Sequence, residues 1–94
     1  MKHMKVKIMG KVQGIGFRWS AYEKFVELGL SGKAENNRDG SVDIDVTGEE
    51  FSLNKFVEWA RIGPPGARVS NLEMSAVVDK PLSDDENKPS ISNS

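Results

Sequence analysis

Large apolar residues alternate with other side chains from the start of the chain. Met4, Val6 and Ile8 take one phase, and Lys5, Lys7 and Met9 take the other. A period of two predicts a strand with one buried face. Over F17-R-W-S-A-Y-E-K-F-V-E-L28 the period lengthens. Ala21, Tyr22, Phe25, Val26 and Leu28 recur at near-helical spacing, which predicts an amphipathic helix. Gly29 is its stop signal. A left-handed residue there would set Leu30 against Phe25, the apolar contact of a Schellman cap. Leu30 to Asn36 reads as a short second strand. N36-N-R-D-G40 is turn chemistry, and Asp39-Gly40 is a strong hairpin signal. S41-V-D-I-D-V-T47 alternates cleanly, with Val42, Ile44 and Val46 on one face and Asp43 and Asp45 on the other. T47-G-E-E50 fits a capping box, with Thr47 as N-cap and Glu50 reaching back. Leu53, Phe56, Val57 and Ala60 then mark a second helix face, ended by G63-P-P-G66. Val69 to Val78 is the last strand, with Leu72, Met74 and Ala76 in alternation.

The order strand, helix, strand, strand, helix, strand predicts an α+β fold. It is the ferredoxin-like split βαβ sandwich (βαββαβ), an antiparallel sheet with two helices packed on one face. Residues 1–78 form the expected domain. Residues 79–94 turn polar and proline-containing, and are expected to form a loose tail with a short edge strand near Ile91.

Composition narrows the classes. With 94 residues the chain holds one domain and one modest core. No apolar run approaches the roughly 20 residues of a membrane span. The start, M-K-H-M-K-V-K-I-M-G, lacks a long apolar stretch and a small-residue cleavage site, so it reads as a strand and not a signal peptide. Cysteine is absent, which removes disulfides, thiolate metal sites and cysteine nucleophiles and fits a cytoplasmic protein. The net charge of −1 excludes a general nucleic-acid binder, so anion binding must come from local geometry. An RNA-binding sheet would also need an aromatic block, and S41-V-D-I-D-V-T47 has none.

The candidate chemistry lies in G10-K-V-Q-G-I-G-F-R18, which holds three glycines and no carboxylate, histidine or cysteine. A loop entering a helix presents N–H groups that lack intrahelical acceptors, and the helix dipole favours an anion there. Arg18 adds a planar fork suited to phosphate oxygens. The stretch therefore either turns a corner or cradles a phosphate. It is no P-loop, because no Gly-Lys-Ser/Thr follows. It is no dinucleotide fingerprint either, because Trp19 stands where a small residue is required. Gln13 is expected to act through its backbone alone. Trp19 belongs either to the helix face or to the pocket mouth. His3 has no partner motif and reads as a chance position.

V12-Q-G-I-G-F-R18 resembles the signature of the acylphosphatase family. G32-K-A-E-N36-N-R-D-G-S-V42 resembles its second landmark, and G63-P-P-G-A67 with Val69 is also similar. The resemblance spans about residues 4 to 78. It implies hydrolysis of small acyl phosphates to a carboxylate and inorganic phosphate. The family's catalytic arginine matches Arg18. Its catalytic asparagine matches Asn36 and not Asn37, counting back from Asp39-Gly40. Backbone N–H groups of Gln13, Gly14, Ile15, Gly16, Phe17 and Arg18 are the expected phosphate cradle. The resemblance implies no cofactor and no metal. The expected partners are a small acyl phosphate and inorganic phosphate as product or competitive ligand, with no nucleic acid and no membrane; the chain is expected to be a monomer. The alternative is a catalytically inactive relative that binds anions or a partner, against which stand both Arg18 and Asn36. Lys33 and Ala34 depart from the family's usual aromatic and branched residues. Glu35 adds a negative charge beside Asn36, and strand alternation predicts that it faces away.

Overall fold

The computed structural model describes residues 1–79. The elements are β1 (Lys2–Lys11), α1 (Phe17–Leu28), β2 (Ser31–Asn36), β3 (Val42–Gly48), α2 (Glu50–Ile62) and β4 (Arg68–Asp79). The strands form one antiparallel sheet in the order β2-β3-β1-β4. This is the βαββαβ sandwich that the periodicity predicts. The expected loose tail and the edge strand near Ile91 lie outside the described residues, except that β4 runs on to Asp79. Among the described residues no helix is long and apolar enough to cross a membrane.

The two apolar strand faces behave as their alternation requires. Met4, Val6 and Ile8 of β1 are buried, as are Val42, Ile44 and Val46 of β3. The register pairs them directly: Met4 with Val46, Val6 with Ile44, and Ile8 with Val42. The helices cover this face and add Phe17, Ala21, Phe25, Leu53, Phe56, Val57 and Ala60 to the same core. An aromatic chain joins the helices. Phe17 meets Trp59 at a centroid distance of 5.5 Å, Trp59 meets Phe56 at 5.6 Å, and Phe56 meets Phe25 at 5.2 Å. Phe17, the first residue of α1, is thereby anchored to α2.

Helix α1 ends as expected. Gly29 is left-handed, and the Leu30 and Gly29 N–H groups donate to the carbonyls of Phe25 (2.8 Å) and Val26 (3.3 Å), the Schellman pair. Its buried stripe is narrower than the sequence suggests. Phe17, Ala21 and Phe25, spaced by four, are buried, whereas Val26 is 83% exposed. Val26 lies about 100° around the helix from Phe25, which carries it off the stripe. Tyr22 sits at the border. Its ring packs edge-on against Phe25 at 5.5 Å, and its hydroxyl accepts from the Ala34 N–H at 3.0 Å. That bond pins α1 to β2.

The capping box does not form. Helix α2 starts after Glu49 and has no side-chain cap. Thr47 instead belongs to β3, which continues to Gly48 and pairs there with Lys2. Strand alternation turns the Thr47 hydroxyl to the outer sheet face, 3.0 Å from His3 Nδ1. His3 Nε2 lies 3.1 Å from Asp45 Oδ1. Both partners of His3 come from another strand, so no local motif announces them.

Candidate active site

The loop between β1 and α1 closes on two left-handed residues, Gly14 (φ 79°) and Gly16 (φ 80°). A Cβ at either would meet nothing within 4 Å. The requirement is therefore conformational: a side-chain-bearing residue is strained at this φ, whereas glycine is not. Gly16 is also the N-cap of α1. A glycine cap has no side chain to offer, and no acidic residue stands in the first turn. The first helical bond runs from Ser20 N–H to the Gly16 carbonyl at 3.0 Å, and among the described residues no well-formed backbone bond uses the N–H groups of Gln13 to Trp19. This positive helix end thus lacks the side-chain acceptor that most helices supply for themselves.

The end opens on a cleft of about 240 Å³ lined by Val12, Gln13, Gly14, Gly16, Phe17, Arg18, Trp19 and Asn36. Of the residues expected at the site, the structure brings together Gln13, Gly14, Gly16, Phe17, Arg18 and Asn36. Ile15 is the exception: it is not among the lining residues and packs against the core. Trp19, 70% exposed, stands at the mouth. Arg18 occupies the first turn of α1 and Asn36 the last position of β2, with side chains that make no hydrogen bond among the described residues. Glu35 faces away from Asn36, as alternation predicts. It pairs with Asp43 across the sheet, and its carboxylate sits 3.8 Å from Lys33 Nζ.

The hairpin after Asn36 is tightly tied. The Asn37 N–H donates to the Ser41 carbonyl (2.8 Å), and the Gly40 N–H to the Asn37 carbonyl (3.2 Å). The Ser41 hydroxyl and N–H both donate to Asp39 Oδ1, at 2.5 and 2.9 Å. Asn37 Nδ2 donates to the Ser41 hydroxyl at 2.9 Å. These hydroxyl and N–H bonds from Ser41, followed by the Lys7 charge 3.5 Å away, lower the Asp39 pKa from 3.8 to about 2. A folded value below the unfolded one contributes stability that is complete above about pH 4 and is lost as pH falls through 2. Asp39→Asn should therefore lower the thermal midpoint at pH 6, with a gap from wild type that closes towards pH 2. A gap that stays constant with pH would contradict the ionic role.

Sequence reasoning leaves the Gln13 side chain without a role, and the structure gives it one. Its Nε2 donates to the carbonyls of Asn37 (2.7 Å) and Ser41 (2.9 Å). The partners are 24 and 28 residues away, so only a fold-level alignment of loop and hairpin reveals them.

Comparison with known proteins converges on one family. The acylphosphatase family model matches residues 4–86. An acylphosphatase from Aliivibrio fischeri is 39% identical over 77 residues, covering 82% of this chain and 86% of that protein. The solved structure of an acylphosphatase from Coxiella burnetii is similar with a TM-score of 0.79 at 38% identity, covering 88% of this chain and 87% of that one. The acylphosphatase structure from Bacillus subtilis gives 0.82 at 29% identity, covering 87% and 90%.

Proposed function

The chain belongs to the acylphosphatase family, and on that premise we propose that its cleft hydrolyses the carboxyl–phosphate anhydride of small acyl phosphates without a metal. The observation that carries the assignment to this cleft is the convergence of an uncapped helix N-terminus, Arg18 and Asn36 on one opening. All three come from a single chain, so a monomer suffices.

In this reading each part of the cleft has a task. The N–H groups from Gln13 to Arg18 hold the phosphoryl oxygens, and the Arg18 guanidinium neutralises their charge. The Asn36 carboxamide orients a water for attack on phosphorus. The P–O bond to the acyl group breaks as the new P–O bond forms, and the carboxylate departs with the electron pair. Carboxylate is a good leaving group, so no strong general acid is required. The water's proton passes to a phosphoryl oxygen of the substrate, which makes a protein base unnecessary. Positioning and electrostatics then supply the rate enhancement, as they do in phosphoryl transfer generally.

The test is phosphate release from acetyl phosphate with a chelator present. Turnover is expected, and in ¹⁸O-labelled water the label should enter phosphate and not acetate. Folded protein that released no phosphate would refute the enzymatic reading and favour the anion-binding alternative. Neither a guanidinium nor a carboxamide titrates near neutrality. Turnover should therefore stay nearly flat from mildly acidic to neutral pH. A sharp bell in that range would expose an acid or base that this mechanism lacks.

A further inference from the structure

We propose that the Gln13 side chain is a positioning residue that sets the place of Asn36 relative to the phosphate cradle. This inference rests on the site reading above. The cradle hangs from the end of β1, whereas Asn36 closes β2, and β3 lies between those strands in the sheet. Two strand spacings separate their axes by roughly 10 Å, so no ladder bond connects them. Among the described residues, the only side-chain hydrogen bonds from the 12–16 loop to the 37–41 hairpin are the two donated by Gln13.

The geometry suits a brace. A carboxamide nitrogen carries two donors, and each reaches a different carbonyl. Those carbonyls flank the hairpin: Asn37 directly follows Asn36, and Ser41 directly precedes Val42, the pairing partner of Asn36. Both acceptors are already fixed, the Asn37 carbonyl by the Gly40 N–H and the Ser41 carbonyl by the Asn37 N–H. Ser41 itself is 2% exposed and held by Asp39. Gln13 therefore grips a rigid object. Its backbone belongs to the phosphate loop and its side chain to the hairpin that carries Asn36. Losing the grip should loosen the water-orienting group while leaving the phosphate-binding N–H groups in place. Misplacement on the scale of 1 Å can cost up to about a hundredfold in rate.

A double-mutant cycle on the full chain tests this, with kcat for acetyl phosphate and the inhibition constant of inorganic phosphate as readouts. Gln13→Met keeps the length and removes both donors. It should lower kcat about ten- to hundredfold, leave phosphate inhibition within about twofold, and cost almost nothing further in the Asn36→Ala background. An equal loss in both backgrounds, with Asn36→Ala itself impaired, would overturn the positioning role and leave the Asn36 assignment standing. Wild-type turnover in Asn36→Ala would overturn both, because Gln13 would then have nothing to position. Gln13→Glu supplies an independent readout, and replaces Gln13→Met should that variant fail to fold. Its carboxylate would oppose two carbonyl oxygens, and protonation would restore one donor. Its kcat should therefore rise with falling pH while that of wild type stays flat. A flat profile in Gln13→Glu would also refute the brace.

Discussion

Arg18→Ala is expected to lose at least about 10²–10³ in kcat/KM and to weaken competition by inorganic phosphate. Such a loss corresponds to roughly 3–4 kcal/mol of transition-state stabilisation. The guanidinium lines the cleft beside the N-terminus of α1 and makes no hydrogen bond among the described residues. The fold therefore does not spend its donors elsewhere, and their removal should fall on the ligand. Exposed side chains of this kind contribute little to stability, so the thermal midpoint should move by no more than about 3 °C. Arg18→Lys separates charge from shape. A point charge without the bidentate fork should recover part of the phosphate affinity but little of the turnover. Steady-state kinetics with phosphate as inhibitor decides the matter, and equal inhibition constants in wild type and Arg18→Ala would remove Arg18 from the site.

The parts of this molecule that were legible in the sequence are those governed by neighbours a few residues away. The alternation in β1 and β3, the Asp39-Gly40 hairpin and the Schellman end of α1 are local, and all stand in the fold. The left-handed φ of Gly14 and Gly16, in the loop between β1 and α1, is likewise a property of single residues. Misreadings arise where a tertiary partner decides. Thr47 has the spacing of an N-cap, yet pairing with β1 carries the strand through Gly48 and hands its hydroxyl to His3. Val26 is apolar but lies off the stripe that the sheet covers. The bracing bonds of Gln13 span 24 and 28 residues, and no spacing rule reaches that far. Asn36 is the intermediate case. Its position before the turn is legible, whereas its place in one cleft with Arg18 depends on the sheet order.

Asn36→Ala is expected to lower kcat by about 10²–10³, the typical cost of one preorganised polar group, with phosphate inhibition changed by no more than about twofold. The reasoning is the converse of that for Arg18. A group that orients water acts on the nucleophile, so its loss is felt in turnover and hardly in the binding of an anion held by N–H groups and a guanidinium. Asn36 is exposed at the end of β2 and has no side-chain hydrogen bond among the described residues, so the fold should tolerate the change. Asn36→Asp sharpens the distinction. It keeps the shape but loses the amide donors, and it sets a negative charge beside a phosphoryl group. It should bind phosphate more weakly than Asn36→Ala does, because like charges repel. If Asn36→Ala instead weakened phosphate binding as much as turnover, Asn36 would be a ligand of the phosphate, and the attacking water would need another partner in the cleft.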